Sequence, residues 1–171
     1  MKLPQGVILN SLQSHSDERG IFTEIFRESW VKDYRYIQWN VVKSNLGVMR
    51  GVHIHKKHFD YLTIVNGSAL IGLHDMRKNS STFQLSVFVD SKGSKLNTLI
   101  IPPGVAHGFY FFEPSIHLYA VSEYWNIEDE LGCHFLEKQL KLDWPNKSPI
   151  LSERDKNLPN YEQLLQKFYI E

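Results

Sequence analysis

His53 and His55 stand two residues apart in Gly51-Val52-His53-Ile54-His55, so on a strand both rings project to one face. Asp60 follows closely, and the breaker Pro102-Pro103-Gly104 runs into Val105-Ala106-His107, which can bring a third imidazole to the same face. Imidazole, with an unperturbed pKa of about 6.5, takes and returns protons near neutral pH. The same side chains also suit hydrogen bonding inside a barrel, and histidines at this spacing are common without any ligand. Eight histidines in 171 residues, five of them at 53, 55, 58, 74 and 107, concentrate this chemistry in the middle third of the chain.

Such groups need a stiff frame, and the sequence supplies strands. Short apolar or alternating runs fall at residues 6–12, 21–26, 34–43, 47–55, 61–65, 69–73, 82–89, 98–101, 107–112 and 116–125, separated by turn residues. Asn66-Gly67 between two of them is a strong hairpin signal. Near the end, Asn160-Tyr161-Glu162-Gln163-Leu164-Leu165-Gln166-Lys167-Phe168-Tyr169 puts Leu164, Leu165 and Phe168 on one helical face, which predicts a short closing helix. One all-β domain over residues 1–171 follows.

Composition excludes several classes. Hydrophobic residues are 42% and aromatics 13%, too much apolar surface for a disordered chain. Nineteen basic residues balance nineteen acidic ones, so no net field recruits nucleic acid or an anionic membrane. Cys133 is the single cysteine and has no partner for an internal disulfide. Neither a signal peptide nor a stretch of about 18 apolar residues is legible, so the expectation is a soluble cytoplasmic protein.

The spacing Gly47-(five residues)-His53-Ile54-His55-(four residues)-Asp60-(six residues)-Gly67, with Pro102-Pro103-Gly104-Val105-Ala106-His107, resembles the two motifs of the cupin superfamily of jelly-roll barrels. Asp60 stands where glutamate is usual, and Phe111 where asparagine is usual. Taken literally, that resemblance implies a metal set of His53, His55, Asp60 and His107.

A longer series of matches resembles one cupin family, the dTDP-4-dehydrorhamnose 3,5-epimerases. It runs through Asp17-Glu18-Arg19-Gly20-Ile21-Phe22-Thr23-Glu24, Gln38-Trp39-Asn40, Arg50-Gly51-Val52-His53, Asp75-Met76-Arg77, Ile101-Pro102-Pro103-Gly104-Val105-Ala106-His107, Tyr119 with Tyr124, and Leu151-Ser152-Glu153-Arg154-Asp155. The resemblance implies a cupin jelly-roll barrel with an N-terminal strand arm and a short C-terminal helix. It implies an isomerase that needs no cofactor or metal and inverts carbons beside the ketone of a nucleoside-diphosphate 4-keto-6-deoxy sugar, usually dTDP-linked. It also implies a homodimer. Carried over residue by residue, His53 becomes the general base, Asp155 its orienting carboxylate and Tyr119 the acid on the opposite face. Arg50, Gln38 and Asn40 would contact sugar or pyrophosphate. Arg19 and Glu24 would reach the nucleotide across the dimer, and Tyr124 would line the cleft with His55, Asp60 and His107 as further substrate contacts.

Two departures from that family stand out. Ile54 and His55 follow the base where an aromatic residue and a glutamine are usual, and Asp60 occupies the place of a lysine whose charge would help an enolate. The string Arg50-Gly51-Val52-His53-Ile54-His55-Lys56 also resembles nucleotide-sugar 3,4-ketoisomerases, so ketone migration is the second expectation. A metal-dependent cupin and a non-catalytic sugar-nucleotide-binding protein follow it. His58, His74, His117 and His134 have no motif partner and are expected at the surface or in satisfied structural roles, and Cys133 is expected to be packed.

Overall fold

The computed structural model describes residues 1–31 and 33–170. Its strands are β1 (Ile8–Ser11), β2 (Ser14–Asp17), β3 (Gly20–Thr23), β4 (Gln38–Ser44), β5 (Met49–Ile54), β6 (Asp60–Asn66), β7 (Ser68–Asp75), β8 (Ser86–Lys92), β9 (Asn97–Ile101), β10 (Val105–Phe111), β11 (Ser115–Val121) and β12 (Leu131–Gly132). One five-stranded sheet runs β1-β9-β6-β11-β4, a second runs β12-β5-β10-β7-β8, and β2 and β3 form a separate hairpin. Among the described residues these strands pair antiparallel throughout, and a single parallel bridge, Val48 with Ile150, lies outside them. This is the expected jelly-roll barrel, with the cleft between its two five-stranded sheets.

The two faces of each sheet are filled by different parts of the chain, as period-two alternation requires. Leu62, Ile71, Leu73, Leu99, Ile101 and Val105 pack together in one buried cluster. Tyr36, Tyr61, Ile100 and Ala120 form another with Phe26, Val31, Tyr34 and Phe59, so the segment between β3 and β4 lies over the first sheet. Tyr34 stacks on Phe59 with ring centroids 3.9 Å apart. That packing is why β4 begins at Gln38 rather than at Tyr34, where β-propensity alone would start it: the aromatic side chains are used against a sheet rather than in one.

The chain after β12 covers the second sheet. Phe135, Leu140, Leu142 and Trp144 join Tyr161 and Leu164 of α2 (Tyr161–Tyr169) against Val52, Ile54 and Ala106. The predicted closing helix is present and begins with a capping box, in which Asn160 Oδ1 accepts from the Gln163 amide and Gln163 Oε1 accepts from the Asn160 amide. Cys133 is fully buried in this layer, and burial pushes its thiol up to about 12, so it packs and does not react.

Asn66-Gly67 does not make a hairpin. β6 pairs with β11 and β9, and β7 pairs with β10 and β8, so the turn hands the chain from one sheet to the other. Gly67 has φ +81, and a Cβ there would sit 2.2 Å from Ser115 Oγ and 2.7 Å from the Pro114 carbonyl. The dipeptide reports a tight turn correctly. Which strands it joins is set by burial of β6, whose first five residues are all inaccessible and need partners on both edges.

His74 has the satisfied structural role expected of it. Its Nδ1 lies 2.8 Å from Ser86 Oγ and its Nε2 2.8 Å from the Tyr161 hydroxyl, tying the second sheet to α2. Burial drives its pKa down to about 4, with Asp75 acting against that shift and Lys141 with it. The unfolded chain, titrating near the ordinary value, therefore takes up a proton that the native ring refuses. Stability is complete above about pH 6.5 and falls as pH drops toward 4, by up to about 3 kcal/mol from this ring. Thermal unfolding followed from pH 7 to pH 4.5 is expected to show that fall, with a shallower slope in His74→Gln.

Candidate active site

The cleft is walled by both sheets and has a volume of about 250 Å³. Val42, Asp60, Leu62, His117, Tyr119 and Val121 line it from the first sheet. Arg50, His53, His107 and Phe109 line it from the second, with His55 just past the end of β5. Trp125 and Glu130 approach from the loop before β12, and Ser152, Arg154 and Asp155 from the short helix α1 (Glu153–Lys156).

His53 is placed by its neighbours on both sides, since β5 lies between β12 and β10 and His53 is opposite Gly132 and His107. Room for this crossing comes from Gly51, where a Cβ would stand 2.8 Å from the His107 carbonyl and 2.9 Å from Gly108 Cα. His53 Nε2 lies 2.7 Å from Asp155 Oδ1, although the two residues are 102 apart in sequence. Asp155 is fixed in turn: Ser152 caps α1 by accepting the Asp155 amide at 3.0 Å, and Asp155 Oδ2 accepts from the Gly51 amide at 3.4 Å. Burial works against ionisation of Asp155, but His53, the Gly51 amide and Ser152 hold its pKa below the ordinary carboxylate value. An ionised Asp155 can only accept, so in the neutral imidazole of His53 it is Nε2 that carries the hydrogen and Nδ1 that keeps the lone pair.

Tyr119 faces this pair from the opposite sheet. Burial first, then the Glu130 and Asp60 carboxylates, raise its pKa, with Arg50 opposing them, so the phenol holds its proton at neutral pH. Arg50 is anchored by Ser44 Oγ at 3.0 Å and the Lys43 carbonyl at 3.4 Å, and its remaining donors are left to the cleft. Gln38 and Asn40 are on β4 on the same face as Val42. They bond to each other at 3.1 Å, and Asn40 Nδ2 is buried with no hydrogen-bond partner among the described residues.

Beyond His53 a second cluster surrounds Asp60. His55 Nε2 and His107 Nε2 lie 3.8 and 3.9 Å from Asp60 Oδ2, and His58 Nε2 lies 3.6 Å from Oδ1. Burial lowers the pKa of His55, and that of His107 to about 4, so both rings are neutral at pH 7. Burial opposes protonation of His58 too, yet Asp60, Asp129 and Glu130 raise its pKa overall.

Several expectations change here. His53 lies outside the Asp60 cluster because Asp155 holds its ring, so the four-residue metal set drawn from the motifs is not assembled as such. His58 is not a surface residue: it is 3% exposed and part of the site. Its spacing of two from Asp60, the same as between His53 and His55, was the available signal. His117 also lines the cleft, as do Glu130 and Arg154, which pair at 3.0 Å; His117 and Glu130 stand in no motif, and Arg154 falls inside the Leu151-to-Asp155 match with no role of its own. Tyr124 is 72% exposed and does not line the cleft. Arg19 and Glu24 also lie outside it, Arg19 paired with Asp17 on the β2–β3 hairpin and Glu24 with Arg27.

The profile of the dTDP-4-dehydrorhamnose 3,5-epimerase family matches residues 2–163. The dTDP-4-dehydrorhamnose 3,5-epimerase of Shigella flexneri is 31% identical over 150 residues, 82% of this chain and 83% of the relative. Among solved structures, the dTDP-6-deoxy-D-glucose-3,5-epimerase of Legionella pneumophila in complex with dTDP-4-keto-L-rhamnose superposes with a TM-score of 0.84 at 29% identity, covering 90% of this chain and 87% of that one. A 3'-monoepimerase from Streptomyces bikiniensis in complex with dTDP-quinovose gives a TM-score of 0.84 at 26% identity, covering 92% and 84%.

Proposed function

The chain belongs to the dTDP-4-dehydrorhamnose 3,5-epimerase family, and we propose that its cleft epimerises a dTDP-linked 4-keto-6-deoxy sugar at C3, C5 or both. The observation that carries this reading is the His53–Asp155 contact of 2.7 Å on one sheet, facing Tyr119 on the other. Nδ1 of His53 removes the proton beside the ketone, and Asp155 stabilises the imidazolium that results. Tyr119 returns a proton to the opposite face of the planar enolate, which is what inversion needs. Arg50, which lines the cleft, would offer its charge to the developing oxyanion. Gln38 and Asn40 offer amides to the sugar or pyrophosphate, the unpartnered Asn40 Nδ2 being a ready donor.

The enzyme works as a cytoplasmic homodimer in this reading. Ile21 and Phe22 on the β2–β3 hairpin and Trp39 and Val41 on the outer face of β4 are exposed apolar side chains that a second copy would cover. The hairpin would then carry Arg19 and Glu24 to the partner's nucleotide. Ketone migration to C3 is the second reading, supported by the additional imidazole of His55 immediately after β5.

Turnover of a dTDP-linked 4-keto-6-deoxyhexose in deuterated buffer tests both. Deuterium at C3 or C5 of a product that keeps its ketone at C4 is expected, and a ketone at C3 would select migration. Absence of solvent deuterium from either carbon would reject both. In Tyr119→Phe, kcat for the epimer is expected to fall about 100-fold while exchange at C3 persists, because abstraction and return use different residues.

A further inference from the structure

His117 is neither at the surface nor satisfied. It is 4% exposed, and its Nδ1 is buried without a hydrogen-bond partner among the described residues. An unpaired buried polar atom weakens a fold, and an apolar side chain of similar shape would remove the defect. The surroundings would accept one: His117 lies at 14° to the ring of Phe109 and 15° to that of Phe111, with centroids 5.6 and 5.7 Å away. Packing therefore gives no reason for an imidazole here.

Its position gives one. His117 and Tyr119 stand two residues apart on β11, so both face the cleft, and their ring centroids are 6.0 Å apart. Their partners on β4 are Val42 and Asn40, which places His117 one step along the groove from the proposed acid. A sugar ring whose reacting carbon meets Tyr119 brings its neighbouring substituents within reach of His117. The terminal torsion of a histidine ring is soft and roughly two-fold, so a nitrogen can turn toward the space the ring already lines.

The chemistry favours a hydroxyl over a phosphate. Burial first, and then the charge of Arg50, push the pKa of His117 down to about 4. At pH 7 the ring is neutral, with one N–H and one lone pair, and a hydroxyl likewise both donates and accepts. A phosphate oxygen only accepts, and a neutral ring brings no charge to hold it.

We propose that His117 hydrogen-bonds a hydroxyl of the sugar ring and is a specificity-determining residue of the cleft, disfavouring ligands that lack that hydroxyl. The identity of the ligand rests on the epimerase reading; the need for a partner rests on the unpaired ring.

Calorimetric titration of the full chain with dTDP and with dTDP-quinovose tests this. The second ligand has a hydroxyl where the substrate has its ketone, so it forms no enolate and isolates binding. His117→Phe keeps the ring and His117→Leu is a smaller apolar alternative should the larger ring overpack. In both, affinity for dTDP-quinovose is expected to fall about 10-fold while that for dTDP changes less than twofold. The better packed of the two is expected to melt about 2–4 °C above the parent, because the unpaired nitrogen is gone. A histidine with a merely structural role would lower stability when replaced and leave the preference for the sugar untouched. An unchanged preference for dTDP-quinovose over dTDP, equal losses for both ligands, or two variants less stable than the parent overturns the inference and leaves the epimerase reading standing. A parent protein that binds neither ligand defeats that reading, and this inference with it.

Discussion

Replacing His53 by asparagine is expected to lower kcat about 1,000-fold while changing the affinity for the nucleotide sugar less than threefold. The loss corresponds to about 4 kcal/mol of transition-state stabilisation. It falls on kcat because, in the proposed reaction, the ring acts on a proton at the reacting carbon, whereas sugar and pyrophosphate would be held by other groups, Arg50 and Asn40 among them. Binding measured by calorimetry with dTDP alongside steady-state rates separates the two quantities. A kcat loss under tenfold would remove His53 from the role of base. Asp155→Asn is a useful companion, since an amide oriented by the Gly51 amide can present its own hydrogens to His53 and select the wrong tautomer.

Gly51→Ala is expected to be a severely damaging small substitution beside the cleft, costing about 3 kcal/mol or more. The residue has φ +102, a conformation that L side chains rarely adopt, which alone costs about 1–2 kcal/mol. The added methyl would also press on backbone atoms of β10 at 2.8 and 2.9 Å, and backbone cannot swing aside as a flexible side chain does. Equilibrium denaturation reads the loss directly. Because Gly51 also donates to Asp155 and lies two residues before His53, the surviving folded fraction should be poorly active. A stable, active Gly51→Ala protein would mean that β5 and β10 are not held so closely.

Much of this arrangement was legible in the sequence. Period-two runs located most strands, and Leu164, Leu165 and Phe168 with Asn160 marked α2 and its start. The pairing of His53 with Asp155 and their position opposite Tyr119 followed only from family resemblance, since no local signal links residues 102 positions apart. What could not be read was partnership. Asn66-Gly67 has the composition of a hairpin turn, yet it joins strands in different sheets. Tyr34 and Tyr36 have the composition of a strand, yet they pack over one. Asp129 and Glu130 are lone polar residues with no periodicity to mark them, and only the closure of the barrel brings them to His55 and His58. Tyr124 lies just past β11 and points to solvent, a difference of a few residues that motif matching does not resolve.

The handover at Gly67 has a kinetic consequence. Of the nine strand pairings among the described residues, only β2–β3 and β7–β8 join neighbours in the chain. Every other ladder waits for segments separated by one or more intervening strands to find each other, and loop-closure entropy is lost before those contacts form. The walls of the cleft belong to these late ladders, β5 with β10 and β6 with β11. A nascent or refolding chain therefore exposes its apolar strands for longer than a helical protein of equal size would. The His53–Asp155 pair and the Asp60 cluster depend on these long-range ladders, so a molecule that has not closed them has neither.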